Sequence, residues 1–180
     1  MGSALVVIDV QEGPFQSSPQ PAFAEQIFSR INALTSRARK LDIPVIFVQH
    51  ETAAGELRHG TSGWALAKEL GVHGADIIVR KTTPDSFHNT TLNDILTHVG
   101  VDNLVVCGFA TEFCVDTTVR RAATLGYSVT LVSDAHTTRD KKHASAAQII
   151  THHNITLSSI SSFPSIIRTR LAQDIHFSNE

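Results

Sequence analysis

Features that mark several common protein classes are missing from this chain of 180 residues. Two cysteines are too few for a disulfide framework, and this usage predicts a reducing, cytoplasmic location. No apolar run approaches the ~18 residues that are needed to cross a membrane, and no basic segment with an apolar one behind it marks a secretory signal. The net charge is −2 with scattered lysines and arginines, which argues against a nucleic-acid surface. We therefore expect a small-molecule partner, and neither nucleic acid nor a membrane.

Sequence signatures of nucleotide binding and of serine hydrolysis are also absent. The first apolar segment is followed by Asp9-Val10-Gln11-Glu12-Gly13-Pro14, and not by the Gly-x-Gly-x-x-Gly turn of a dinucleotide site. A Walker A loop does not occur, and neither does the Gly-x-Ser-x-Gly elbow of a serine hydrolase. Dinucleotide-dependent enzymes, P-loop nucleotidases and serine hydrolases are therefore disfavoured.

Short apolar segments alternate with segments of helical periodicity along the chain. We predict six strands, at residues 4–8, 44–48, 76–79, 104–107, 128–132 and 155–160. Helical segments are predicted at residues 27–38, 64–70, 92–99, 115–125 and 144–152. Uniformly apolar strands separated by helices indicate an α/β fold with a parallel sheet covered on both faces. The length fits a single domain over residues 1–180.

Chemically capable residues follow most of the predicted strands. In an open parallel sheet, ligands bind beyond the carboxyl ends of the strands. In chain order, the residues at these ends are Asp9, His50, Arg80 with Lys81, the segment 108–114, and Asp134 with His136. We therefore expect a carboxylate, a cation and a thiol to meet at one edge of the sheet.

Cys114 stands where the fourth predicted strand turns into a helix. The N–H groups at the start of that helix and the ammonium of Lys81 would both favour a thiolate. Asp9 could accept the thiol proton and later return it to a leaving nitrogen. The backbone N–H groups of Ala110 and Cys114 are placed to hold an oxyanion. These parts fit acyl transfer to a cysteine followed by hydrolysis.

The same residues resemble the isochorismatase-like cysteine hydrolases. The resemblance rests on Asp9-Val10-Gln11, Lys81 and the run Gly108-Phe109-Ala110-Thr111-Glu112-Phe113-Cys114-Val115, and it extends over nearly the whole chain, including residues 60–64 and 134–136. It implies a catalytic triad of Asp9, Lys81 and Cys114, with an oxyanion hole at Ala110 and Cys114. It also implies a cis peptide bond between Phe109 and Ala110. The implied fold is a Rossmann-like three-layer sandwich with a six-stranded parallel sheet, in a homodimer or homotetramer.

The chain departs from two branches of that family. Nicotinamidases in it bind a metal through an Asp-x-His pair after the second strand, where this chain reads Val48-Gln49-His50-Glu51-Thr52. The pair is absent, and His50, Glu51 and His59 match no ligand spacing, so we predict neither a metal nor a cofactor. True isochorismatases cleave a vinyl ether and need no cysteine at the nucleophile position. Cys114 therefore favours cleavage of a C–N bond in an amide, lactam or ureide.

Two other functions stay open at this point. The enzymatic alternative is an ether or ester hydrolase of the isochorismatase type. The non-enzymatic alternative is an oligomer that binds a small molecule and has lost turnover, which a complete triad disfavours.

The candidate substrate-binding residues are Gln11, Phe15, Trp64, Phe87 and Phe113. Phe113 is the best of the aromatic candidates because it immediately precedes the nucleophile, whereas large aromatic side chains are more often part of the core. Cys107 lies inside an apolar strand, so we predict that it packs in the core.

Overall fold

The computed structural model describes residues 2–177, and within them six parallel strands form one sheet. The strands are β1 (Gly2–Ile8), β2 (Val45–His50), β3 (Ile77–Lys81), β4 (Val101–Phe109), β5 (Ser128–Thr137) and β6 (Ile167–Arg170). Their order across the sheet is β3-β2-β1-β4-β5-β6, which is the order of a Rossmann fold. The predicted α/β class and the six-stranded parallel sheet are confirmed. The direction of winding changes between β1 and β4, and ligands bind at this point in such sheets.

Helices cover both faces of the sheet. They are α1 (Glu12–Gln16), α2 (Ala24–Lys40), α3 (Leu92–His98), α4 (Asp116–Thr124) and α5 (Ala146–Ser158). Side chains of β1 alternate between two cores: Val6 and Ile8 pack in the core that contains α3, α4 and α5, and Leu5 and Val7 pack in the core that contains α2. No helix in the described part of the chain is long and apolar enough to span a membrane.

The last predicted strand, at residues 155–160, is wrong. Most of this segment is the end of α5, which begins with a capping box between Ser145 and Gln148 and runs to Ser158. Leu157 is buried in the core, whereas Ile155 is 62% exposed on the other side of the helix. The sixth strand is instead β6, a short edge strand in which Ile167 is buried and is followed by three polar residues.

The predicted helix at residues 64–70 is also wrong. Part of the backbone of this segment bonds to the chain around α1: the carbonyl of Ala65 accepts from the N–H of Glu12, and the N–H of Ala67 donates to the carbonyl of Val10. These bonds hold the segment as a series of turns against the end of β1. A further difference is that β5 continues to Thr137, so Asp134 and His136 lie inside the strand and not after it.

Gly108 allows β1 and β4 to approach closely near their carboxyl ends. Its φ is +125°, a conformation that residues with a side chain rarely adopt, and a Cβ atom there would lie 2.6 Å from the backbone nitrogen of Ile8. A glycine is therefore required three residues before the turn that carries Cys114.

Candidate active site

Cys114 lies in a tight turn between β4 and α4. The Phe109–Ala110 peptide bond is cis, and residues Thr111–Val115 form one turn of π-helix that runs directly into α4. The carbonyl of Ala110 accepts hydrogen bonds from the N–H groups of Phe113 (3.0 Å) and Val115 (3.2 Å). This turn leaves Cys114 half-buried, at the carboxyl end of the sheet beside β1.

The ammonium of Lys81 connects the thiol to the carboxylate. Lys81 is the last residue of β3, and its side chain is fully buried. Its Nζ atom lies at hydrogen-bond distance from Asp9 Oδ2 (2.8 Å), Cys114 Sγ (3.1 Å) and the carbonyl oxygen of Thr83 (3.1 Å). The buried positive charge is thus compensated by a carboxylate, as a buried ion requires. The structure brings together the three residues of the expected triad.

Asp9 is placed by a turn directly after β1. It has a φ of +50°, which aspartate tolerates better than most residues, and its N–H extends the sheet by donating to the carbonyl of Val48 (2.9 Å). Its Oδ2 atom accepts from Lys81, whereas Oδ1 is buried and has no hydrogen-bond partner among the described residues. One carboxylate oxygen beside the thiol is therefore free to accept a proton.

The electrostatics of the site keep the thiol protonated at rest. The pKa of Cys114 is raised to about 12, first by burial and next by the negative charge of Asp9, and Lys81 opposes this only in part. Lys81 favours the thiolate, as expected from the sequence, but burial opposes it and has the larger effect. A reaction at this sulfur must remove its proton during the attack.

The proposed oxyanion hole lies at the two ends of the same turn. Ala110 is buried immediately before the turn, and Cys114 is its fourth residue. Both positions are therefore near the sulfur, and the role of their N–H groups stays a prediction.

His50 was expected at this edge of the sheet without an assigned role, and it lies in the site. His50 is the last residue of β2 and pairs with Lys81 on β3, which places its Nδ1 atom 3.2 Å from Lys81 Nζ. Burial and the charge of Lys81 lower the pKa of His50, against the opposing effect of Asp9. The available signal was positional: His50 and Lys81 end neighbouring strands.

One group of side chains within residues 2–177 has the composition of a metal site. It comprises Asp9, His50 and Cys114, whose potential ligand atoms lie within 4.8 Å of one another. Lys81 Nζ is within 3.2 Å of an atom of each of them. These side chains therefore surround the protein's own cation, and a metal ion would have to displace the ammonium.

Gln11 bonds to the backbone next to the site and does not face a ligand. It is fully buried, and its amide nitrogen donates to the carbonyls of His50 (3.0 Å) and Trp64 (2.7 Å). Its amide oxygen accepts from the N–H of His50 (2.9 Å). Because these groups are already bonded within the protein, its expected substrate-binding role is corrected to one of holding the backbone of His50.

The aromatic candidates divide into core and surface residues. Phe15 contacts the ring of Phe109, and Phe87 stacks on Tyr127; both are buried in the core, so the expectation that they line a pocket is corrected. Trp64 is half-buried, and Phe113 is 54% exposed. Cys107 is completely buried, in agreement with its predicted packing role.

A cavity of about 620 Å³ lies beside the nucleophile turn. Its lining includes Phe113 and Glu112 from the turn, Lys141 from the loop between β5 and α5, and Ile149 and His152 from α5. Lys141 Nζ is 3.0 Å from Glu112 Oε1 and 5.1 Å from the centroid of the Phe113 ring. The triad residues are not part of this lining, but Phe113, which is, directly precedes Cys114 in the chain.

Comparison with known proteins gives consistent matches. A model of the isochorismatase domain matches residues 3–160. Streptothricin hydrolase of Streptomyces noursei is 36% identical over 138 residues, which is 76% of this chain and 50% of the relative. The chain thus spans about half the length of the streptothricin hydrolases it matches. Ureidoacrylate amidohydrolase of Agrobacterium fabrum is 38% identical over 79 residues, or 44% of this chain and 35% of the relative.

Solved structures share the architecture. The crystal structure of an isochorismatase family protein has a TM-score of 0.85 and 36% identity, with 93% of this chain and 97% of that chain covered. A cysteine hydrolase from Pseudomonas syringae pv. phaseolicola has a TM-score of 0.82 and 25% identity, with 92% and 88% covered.

Proposed function

Because the chain belongs to the isochorismatase family of hydrolases, we propose that it cleaves a C–N bond of a small molecule through a covalent acyl-enzyme on Cys114. The observation that carries the proposal is the buried ammonium of Lys81, which contacts both the carboxylate of Asp9 and the sulfur of Cys114. A thiol, a proton acceptor and a cation in mutual contact are the parts that nucleophilic catalysis by cysteine requires.

In the first step, Cys114 Sγ attacks the carbonyl carbon of the substrate. The thiol proton moves to Asp9, whose Oδ1 atom has no hydrogen-bond partner among residues 2–177. A C–S bond forms while the π electrons of the carbonyl move to its oxygen. The N–H groups of Ala110 and Cys114 stabilise this oxyanion, and Lys81 stabilises the sulfur while its proton leaves.

The second and third steps return the proton. Collapse of the intermediate breaks the C–N bond, and the leaving nitrogen takes the proton from Asp9. Water then adds to the thioester while Asp9 accepts a proton from it, and breakage of the C–S bond returns that proton to the sulfur. An amine is a poor leaving group unless it is protonated, so a carboxylic acid next to the sulfur favours an amide, lactam or ureide. The names of the two relatives, a streptothricin hydrolase and an amidohydrolase, support this choice.

We extend the proposal to the setting of the enzyme. The mechanism uses no metal and no other cofactor, because Asp9, Lys81 and the backbone supply every proton transfer and charge. That the chain forms a homodimer or homotetramer stays a prediction from its resemblance to the family. A reducing compartment such as the cytoplasm suits a protein whose two cysteines are both free.

The experiment is a panel of small amides, lactams and ureides, with release of ammonia or amine as the readout. Esters and vinyl ethers form a second panel. We expect the wild-type chain and Cys107→Ala to hydrolyse at least one C–N substrate, and Cys114→Ala to have no turnover while its circular dichroism stays native. Turnover of only esters or ethers would contradict the C–N assignment. Undiminished turnover by Cys114→Ala would contradict the covalent mechanism.

A further inference from the structure

The ammonium of Lys81 has more acceptors around it than protons to give. A lysine ammonium carries three N–H donors, and Nζ lies at hydrogen-bond distance from four atoms. These are Asp9 Oδ2 (2.8 Å), Cys114 Sγ (3.1 Å), the carbonyl of Thr83 (3.1 Å) and His50 Nδ1 (3.2 Å). The carboxylate is the strongest of these acceptors and a neutral thiol the weakest. In the resting site the imidazole therefore competes with the sulfur for the third proton.

His50 is held firmly enough to act as a defined acceptor. Its backbone N–H and carbonyl both bond to the amide of the fully buried Gln11, and its strand pairs with β3 in register with Lys81. The ring is partly buried against the triad. The backbone of His50 is thus held by the pairing of β2 with β3 and by the buried amide of Gln11, and this limits where its Nδ1 atom can lie.

Resting on the proposed function, we propose that His50 is a positioning residue whose neutral ring accepts a proton of Lys81 at Nδ1 and holds the ammonium between Asp9 and Cys114. When the thiol loses its proton during attack, the sulfur becomes an anion and a stronger acceptor than the imidazole. The third N–H of Lys81 then turns from His50 to the sulfur. His50 keeps this donor close until the charge that needs it has formed.

The proposed role requires a neutral ring. A protonated imidazole has no free lone pair at Nδ1 and places a second positive charge 3.2 Å from Lys81 Nζ. The ionisable groups that face His50 are Lys81 from β3, Asp9 after β1, Cys114 from the nucleophile turn, and Glu51 beside it. Burial and Lys81 lower the pKa of His50 below 6.5, while Asp9, a hydrogen bond from the ring to the backbone of Thr83, and Glu51 oppose this. The ring is therefore neutral at pH 7.

The contact is tested by long-range ¹H–¹⁵N NMR of the histidine rings in the full, ¹⁵N-labelled chain, with His50→Asn used to assign the His50 signals. We expect His50 to carry its proton on Nε2, with Nδ1 unprotonated, and to titrate below pH 6.5. In Lys81→Met its pKa should rise, since the charge of Lys81 is removed. The tautomer is measured on the wild-type chain, so this result does not depend on whether a variant folds. A proton on Nδ1 of His50 in the wild type would overturn the proposal.

The role is tested by kinetics on a substrate from the panel. Asparagine places an amide oxygen near the position of Nδ1 but does not titrate. We expect His50→Ala to lower kcat about tenfold to a hundredfold, the effect of losing one hydrogen bond to a charged group, with little change in KM. His50→Asn should recover most of that loss and should keep its kcat as the pH falls below 6.5, where the wild-type kcat declines. His73→Asn, an exposed histidine, serves as the control and should follow the wild-type profile.

The outcomes separate the two proposals. Equal kcat values for wild type and His50→Ala, or an acid limb that persists in His50→Asn, would overturn the role of His50 even if hydrolysis is established. Absence of turnover by the wild type would refute the proposed function, and the NMR experiment would still decide whether His50 holds Lys81.

Discussion

A buried histidine bonds to the turn that carries Cys114. Because its burial disfavours the protonated ring, we expect the protein to lose stability in acid. His136 on β5 is 1% exposed. Its Nδ1 lies 2.8 Å from Thr111 Oγ1, in the turn that carries Cys114, and its Nε2 lies 2.9 Å from Asn154 Oδ1 on α5. Because the amide nitrogen of Asn154 donates to the carbonyl of Ser133, its oxygen faces His136 and can only accept. The proton of His136 is therefore on Nε2, and Nδ1 accepts from Thr111.

The magnitude follows from the pKa of His136. This pKa is lowered from 6.5 to about 4, mainly because the ring is buried. Below pH 6.5 the unfolded chain binds a proton at this residue, and the folded chain does not until about pH 4, so stability falls as the pH falls through that window. A shift of about 2.5 pKa units corresponds to about 3 kcal/mol of unfolding free energy. Above pH 6.5 the full contribution is present.

The assay is urea unfolding, followed by circular dichroism, at pH 7 and at pH 4. We compare the wild type with His136→Asn, which retains an acceptor for Thr111 but does not titrate, and with His143→Asn, an exposed control. The wild type and the control should lose about 3 kcal/mol more between the two pH values than His136→Asn does. Equal losses in all three proteins would refute the reasoning, because His136 would then titrate alike in the folded and unfolded chains.

Three further predictions concern the triad and the turn. Lys81→Met should lower turnover at least about a hundredfold and slow alkylation of Cys114 by iodoacetamide at pH 9, because Lys81 lowers the pKa of the thiol; an unchanged alkylation rate would show that the ammonium does not act on the sulfur. Gly108→Ala should lower the unfolding free energy by about 2 kcal/mol or more, whereas Gly74→Ala, which meets no atom within 4 Å, should change it by less than about 1 kcal/mol; equal effects in urea unfolding would contradict the close approach to Ile8. Turnover should survive dialysis against EDTA, since Lys81 occupies the space between Asp9, His50 and Cys114; loss on chelation that one added metal reverses would contradict this.

The central sheet could be predicted from the sequence because its strands are buried on both faces. Residues 4–8 and 104–107 are uniformly apolar, and nearly all of them are completely buried. Asp9, Lys81 and Cys114 could be placed together because parallel strands bring their carboxyl ends to one edge. Neither inference needs side-chain geometry.

The features that were not predicted each depend on contacts in the folded chain that cannot be inferred from the sequence pattern. The edge strand β6 is only 4 residues long and is polar after Ile167, so it has no apolar run. Residues 155–160 alternate like a strand, but the capping box at Ser145 starts a helix that continues into them. The resting protonation of Cys114 depends on its burial, and the place of His50 depends on the register of β2 against β3.

Mass spectrometry of rapidly quenched reactions, on the intact protein and on its proteolytic peptides, tests the covalent mechanism most directly. With a C–N substrate from the panel, the wild-type chain should gain the mass of the acyl group on the peptide that contains Cys114, and the adduct should disappear as the substrate is consumed. Cys114→Ala should show neither adduct nor turnover, while Cys107→Ala should show both. Turnover without an adduct on Cys114, under conditions that slow hydrolysis of the thioester, would contradict the account. An adduct that forms equally in Cys114→Ala would also contradict it.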